Sequence, residues 1–300
     1  FNEIKLNSPL IEITKKKNSY LIDGIFLTKN QKLDGDDLNF ISKGLINLKD
    51  IKEIEFSSNN KLSFEINKKF KINKLDIETT LDLDKLIFSK KFIDLSAYLK
   101  NTKEEILFEK NKIQINYKKD KLKVKGTGSI FFTDKSEQIT YEIIKNNDQF
   151  SFNTKFNIKD NSFQIVPLNY EKKEDVNSII IINGDFKKGN LLKFKTISLE
   201  ENKNKILINN LKLDNNFKVL DIEKANINYK NKNKILNKIN LRKDNSNFIV
   251  EGDNLDLSKL IDNIMDSDDE NSSIFENLNS RVDINIKKTY IDEINHLNNL

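Results

Sequence analysis

Apolar and polar side chains that alternate residue by residue restrict this chain more than any other feature. Leu62, Phe64 and Ile66 alternate with Ser63, Glu65 and Asn67, and Ile77, Thr79, Leu81 and Leu83 keep the same period. A period of two puts every second side chain on one side of an extended backbone, the pattern of a half-buried strand. It recurs from Ile106 to Val250, in Ile113, Ile115 and Tyr117, in Ile139, Tyr141 and Ile143, and in Ile206 and Ile208. Asp23-Gly24, Ser58-Asn59-Asn60, Lys145–Asp148 and Lys159–Asn161 read as turns between strands. Roughly twenty strands at the spacing of antiparallel all-β architecture are predicted. Ile179–Ile182 is apolar on both sides and predicts a strand covered on both faces.

The period breaks in two places. Phe92, Leu95, Tyr98 and Leu99 fall at helical spacing, which predicts one or two short helices within Leu86–Leu99. A second short helix is predicted over Leu257–Asp266, capped by Ser258 or Asp256, with Leu260, Ile261 and Ile264 on one side. Both breaks follow the same words, since Leu81–Ile87 matches Leu255–Ile261 at six of seven positions. Leu38–Leu48 has mixed periodicity and room for a helical turn.

Composition bounds the function. The 51 basic and 46 acidic residues leave a charge of only +5, and Arg242 and Arg281 are the two arginines. A nucleic-acid face would need clustered charge and arginine, so no nucleic-acid partner is expected. There is no Cys, which removes disulfides, thiolate catalysis and Cys-based metal sites. The longest aliphatic run, Ile179–Ile182, is far below the roughly 20 residues of a spanning helix. The chain starts at Phe1 and stops at Leu300 without a recognisable closing element, and is read as a piece of a longer protein.

Three architectures satisfy many one-sided strands. A sandwich covers two apolar faces with each other. A membrane barrel needs strands of about 9–11 residues, longer than most predicted ones. A single sheet curled lengthwise into a trough leaves its apolar face open; twenty strands at about 4.8 Å would extend roughly 100 Å. Periodicity alone does not choose between trough and sandwich.

The phrase Phe248-Ile249-Val250-Glu251-Gly252-Asp253-Asn254-Leu255-Asp256-Leu257-Ser258-Lys259-Leu260-Ile261-Asp262, a polar insertion, then Ser280–Ile286, resembles the AsmA-like family of Gram-negative envelope proteins, most closely its large YhdP- and TamB-related branches. Ile206–Asp214 through Ala225–Tyr229 is similar to that family's repeated strand–turn–strand phrasing. The resemblance covers Lys205–Leu300 and implies a mainly β fold: an elongated, curled antiparallel sheet forming a hydrophobic groove, with a few short helices. It further implies a periplasmic protein, anchored in the inner membrane by a segment outside this sequence. Such a protein carries phospholipid along the groove between inner and outer membranes, with possible envelope protein partners. Residues 1–250 are then the groove segment, interrupted near 86–99, and 251–300 a short helix plus the start of the next strands. Phe152, Phe194, Ile208, Ile227, Tyr229, Phe248 and Val250 are the candidate groove residues for acyl chains. The alternatives are a scaffold for outer-membrane protein translocation and assembly, and a structural β-protein with a closed core.

No covalent chemistry, cofactor or metal is expected. Asp266–Glu270 lacks the spacing and Gly of a calcium loop and reads as a solvated loop. Asp82, Asp84 and Asp256 read as caps and turn formers rather than paired catalytic carboxylates. Gly126-Thr127-Gly128 lacks the helix that a phosphate loop needs, and His296 stands apart from any nucleophile motif.

Overall fold

The computed structural model describes residues 5–42, 50–89, 98–187, 192–214, 219–259, 261, 280–292 and 294–299. The protein is mainly β, built from curled and mostly antiparallel sheet with almost no helix. It divides into two units, the first made of residues 1–94 and 102–150 and the second of 95–101 and 151–300.

Unit 1 is an antiparallel meander of β1 (Asn7–Lys15), β2 (Ser19–Leu33), β3 (Ile51–Asn67), β4 (Ile72–Ser89), β5 (Glu105–Lys118), β6 (Lys121–Phe131) and β7 (Ser136–Asn146). Each strand pairs with the next. One short helix, α1 (Gly35–Ser42), follows β2; Asp34 caps it by accepting the Asp37 N–H at 2.9 Å. Apart from α1 beside β3, no described element of this unit packs across the sheet. The described strands of unit 1 therefore form one layer.

The strands are longer than predicted, 15 residues in β2, 17 in β3 and 18 in β4. Two expected turns, Asp23-Gly24 and Ser58-Asn59-Asn60, lie inside β2 and β3. The reversal before β2 falls at the polar run Lys15-Lys16-Lys17-Asn18, where Lys16 N–H donates to Ser19 O at 2.8 Å. The premise that these strands are too short for a membrane barrel is thus corrected. Unit 1 nonetheless stays open, because β1 pairs with β2 and not with β7.

Unit 2 runs from β8 (Gln149–Ile158, whose first two residues belong to unit 1) through β11 (Ser178–Lys187), β12 (Leu192–Glu201), β13 (Asn204–Leu213), β15 (Lys224–Lys230), β16 (Leu236–Asp244) and β17 (Asn247–Asp256). The sheet ends in β18 (Val282–Tyr290), parallel to β17, and β19 (His296–Asn298), with β14 (Val219–Asp221) beside the end of β13. Between β8 and β11 the chain leaves the sheet as a strap: β9 (Phe163–Ile165), a 3₁₀ turn at Val166–Leu168 and β10 (Tyr170–Lys172).

Both units keep their apolar side on one face by the same device. In β4 the apolar phase passes from Leu83 to Leu86, with Asp84 as the extra residue between the Phe56 and Glu55 pairings. Opposite it in β5, Lys110 at φ 52° separates Phe108 from Asn111. Unit 2 repeats the arrangement with Lys195 in β12 opposite Asn210 in β13, the latter at φ 51°, so that Phe194 and Ile197, and Ile208 and Leu211, share a face. Asn30 at φ 47° serves β2, and Asp253 serves β17. An inserted residue bends and twists its strand locally, which accounts for curling in long strands.

The predicted helix within Leu86–Leu99 is not formed at its start. Leu86–Ser89 is strand because Leu86 and Phe88 pair with Phe108 and Ile106 of β5. Residues 98–100 form a turn, and 90–97 lie outside the described residues. The matching words at Leu255–Ile261 fold differently: the strand stops at Asp256 and a helical turn starts at Ser258. Asp256 Oδ1 accepts both the Ser258 N–H (3.0 Å) and its hydroxyl (2.6 Å), so the expected cap is present. Residue 260 and residues 262–279, which include the acidic loop, lie outside the described residues, as do 43–49 of the mixed stretch. Ile179–Ile182 is half-buried at every position rather than covered on both faces.

Gly126 and Gly128 sit in β6, where their lack of a side chain is used for packing. A Cβ on Gly126 would fall 2.2 Å from the Tyr141 ring, and one on Gly128 2.3 Å from the Asn111 amide. Burial beneath this contact pushes the Tyr141 hydroxyl up to about 12. Gly126→Ala should therefore destabilise the protein by about 1–3 kcal/mol through overpacking. Urea unfolding checks this, and an unchanged midpoint would contradict the packing.

Candidate functional site: the apolar sheet faces

Cross-strand registers show which side chains share a face. In unit 2, Ile180, Leu199, Ile206, Ile227, Ile239, Gly252 and Ile286 form one row across the sheet. Ile182, Ile197, Ile208, Ala225, Leu241, Val250 and Ile284 form the next. Ile208 and Val250 thus stand in one row, with Ile227 in the adjacent one. Phe194 pairs with Gly184, and the Phe152 ring meets it edge-on at 6.0 Å. Tyr229 and Phe248 lie further along the same face, two residues beyond Ile227 and two before Val250.

The seven candidates differ in burial. Phe152, Phe194, Ile208 and Ile227 are half-buried, whereas Tyr229 is 1% and Phe248 2% exposed. Val250 belongs to a closed cluster with Ile239, Leu255 and Ile286, against which Ile227 and Leu241 pack. Tyr229 is covered by the strap. Tyr170 meets its ring edge-on at 5.5 Å, and the Tyr229 hydroxyl donates to Leu168 O. Burial raises the ionisation of both tyrosines well above the ordinary phenol range.

Polar contacts hold the strap down. The Tyr170 hydroxyl donates to Glu201 Oε2 at 2.5 Å. Asn169 Nδ2 and Asn231 Nδ2 donate to Asp256 Oδ2 at 3.3 and 2.5 Å. Lys172, fully buried, donates to Lys159 O and Asn161 O at 2.5 and 2.6 Å. Asp256 is therefore a latch for the strap as well as a cap.

Unit 1 holds a second apolar face that the candidate residues missed. Ile22 pairs with Phe64; Gly24, Leu62, Ile77, Tyr117 and Leu122 form one row. Leu81 and Ile113 pair in another. All of these except Gly24 are half-buried, and no second layer among the described residues of this unit covers them. The signal was the alternation in Leu62–Ile66 and Ile77–Leu83, which marks the same kind of surface as the unit 2 strands.

The opposite faces are laced with ion pairs. Glu53 takes Lys32 and Lys85 at 2.9 and 2.7 Å, Asp76 takes Lys118 at 2.7 Å, and Glu142 takes Lys123 at 2.8 Å. Much of the lysine content thus serves cross-strand pairs, each worth little in water. Two open clefts of about 380 Å³ lie beside such groups, the first lined also by Gly24, Leu62, Ile77 and Tyr117 of the apolar row. One lies among Asp23, Lys61, Asp76 and Lys118, the other among Asp185, Lys195, Lys212 and Asp221. Asp82 and Asp84 are exposed on β4, and the His296 ring lies 5.7 Å from that of Tyr290. Among the described residues no cluster of acidic or His side chains is placed to hold a metal, and no helix is long and apolar enough to cross a membrane.

Asp253, the inserted residue of β17, accepts Lys238 at 2.6 Å and Lys287 at 2.7 Å. These hydrogen bonds hold its carboxyl down to about 2. Because the folded value lies below the unfolded one, the stabilisation is complete above about pH 4 and is lost as pH falls towards 2. Carboxyl carbon shifts should place the Asp253 midpoint near 2, and a midpoint near 4 would show the clasp absent in solution.

No family model, curated protein or solved structure matches the chain.

Proposed function

We propose that the protein is a non-enzymatic conduit for lipid acyl chains, working in the periplasm as part of an inner-membrane-anchored envelope protein. Phospholipid passes between the two membranes, its chains on the apolar sheet face and its headgroup at the polar rim. The observation that carries this reading is the sheet of unit 1, whose apolar rows through Leu62, Ile77 and Leu81 are half-buried and have no second layer among the described residues of the unit. An exposed apolar strip of this kind calls for a ligand or partner. Each methylene buried on it contributes about 0.8 kcal/mol, without any directional contact that would fix the chain in one place. The resemblance of the β17–β18 region to the AsmA-like family supports the same reading.

The test is mass spectrometry of organic extracts from protein purified out of membrane-containing cells. Phospholipid should co-purify and fall several-fold in Phe64→Asp and Ile77→Asp, both on the unit 1 face, while far-UV circular dichroism stays unchanged. A folded, lipid-free wild type would overturn the proposal and leave a structural β-protein as the better account. Phe248 is a poor probe because it is 2% exposed, so a charge there would unfold the cluster around it.

A second reading, a scaffold for outer-membrane protein assembly, draws on β1. Leu10, Ile11 and Ile13 of this marginal strand are 46%, 54% and 65% exposed, a surface suited to taking up another strand. Binding of unfolded barrel segments in place of lipid would favour it.

A further inference from the structure

The apolar face of unit 1 carries buried Gln31 and Asn111 in the row of Phe56 and Leu83 and, beside that row, a polar crossing whose protons do not balance. Thr28 of β2, Ser58 and Asn60 of β3 and Thr79 of β4 occupy positions in phase with Phe26, Phe56, Leu62 and Leu81, so all of them point to that face. The Thr79 hydroxyl donates to Asn60 Oδ1 at 2.8 Å. Asn60 Nδ2 donates to Ser58 Oγ at 2.8 Å and to Phe26 O at 3.1 Å. Ser58 N–H donates to Thr28 Oγ1 at 3.1 Å, and the two hydroxyl oxygens of Thr28 and Ser58 are 2.8 Å apart.

Three hydroxyls bring three protons. Thr79 spends its proton on Asn60, and either Thr28 or Ser58 spends one on the contact between them. The remaining proton, on whichever of the two accepts, has no acceptor among the described residues. The crossing therefore ends in a single neutral O–H donor, set among half-buried apolar side chains. In the free protein solvent takes this proton, and a bound chain that displaces the solvent must supply an acceptor in its place. An anion would need a cation, and the rows through Thr28, Ser58, Asn60 and Thr79 contain no charged side chain.

We propose that this donor takes the carbonyl oxygen of an acyl ester or amide, so that the ligand of the unit 1 face is an ester- or amide-linked acyl amphiphile rather than bare hydrocarbon. This rests on the conduit reading and adds a point of chemical recognition to it. The carbonyl supplies one acceptor, and the chain beyond it continues over Leu62, Ile77 and Leu81.

The experiment offers the full chain mixed vesicles containing equal amounts of a diacyl phosphatidylcholine and its dialkyl ether analogue, then measures the lipids retained on the re-isolated protein. The wild type should retain ester over ether by about three- to tenfold, the factor one neutral hydrogen bond confers. Thr28→Val and Ser58→Ala should each keep the preference, because removing either hydroxyl leaves the other with its proton unspent. The double variant T28V/S58A should bring the ratio to one with total lipid unchanged. An equal ratio in the wild type overturns the proposal without recourse to any variant, as does a preference surviving in the double variant. If the wild type retains neither lipid, the conduit reading fails and this one with it.

Discussion

A sheet satisfies its backbone sideways, strand to strand, but it cannot cover its own apolar face. That constraint governs this protein. Hydrogen bonding in unit 1 is settled by the meander from β1 to β7, and the ion pairs of its polar face suit water. What remains is an apolar face, buried at Leu83 and Ile130 and half-buried at Leu62 and Ile77, over which no described element of the same unit forms a second layer. Most domains answer with a second layer. Among the described residues of unit 1, no element supplies that layer.

Unit 2 shows the other answer at one end of its sheet. The strap lays Tyr170 across Tyr229 and ties itself down through Glu201, Asp256 and Lys172. Every contact there is specific, and the groups involved are buried. Such fastening belongs to a closed core, where geometry is fixed once. Among the described residues, the rows through Ile208 and Ile227 have no comparable set of directional contacts, and on the unit 1 face such contacts are confined to the polar crossing and to Gln31 and Asn111 beside it. Surfaces that offer dispersion contacts in place of fixed polar ones hold a ligand weakly at many positions, as sliding along them requires.

Much of this was legible in the sequence, and the failures share a cause. The alternation gave the β class and, for Phe152 through Val250, a common face. It did not reveal the inserted residues. Asp23-Gly24 and Ser58-Asn59-Asn60 look like turns because Asp, Gly, Ser and Asn favour turns, yet β2 and β3 run straight through them. Ser58 and Asn60 tolerate the strand because Thr28 and Thr79 satisfy them from either side, and that partnership depends on residues 30 and 19 positions away. The phase was the clue: Phe56, Ser58, Asn60 and Leu62 keep a strict period of two. Leu81–Ile87 and Leu255–Ile261 fold differently despite matching words because the first has β5 to pair with beyond Leu86, while the second has Asp256 turned to cap Ser258.

The inserted residues also limit how the gene can change. Asp84 faces Lys110, and Lys195 faces Asn210, each pair stepping two neighbouring strands onto a new phase together. Loss of Lys110 alone would turn Ile113, Ile115 and Tyr117 outward or force β5 out of register with β4. Loss of Asp84 and Lys110 together would leave the two strands in step with one another, though not with β3. Single-codon insertions and deletions inside these strands should thus be rare among descendants of this chain, and those that survive should come in pairs on adjacent strands. Change in length then spreads through such a protein as a coordinated edit, one seam of the sheet at a time.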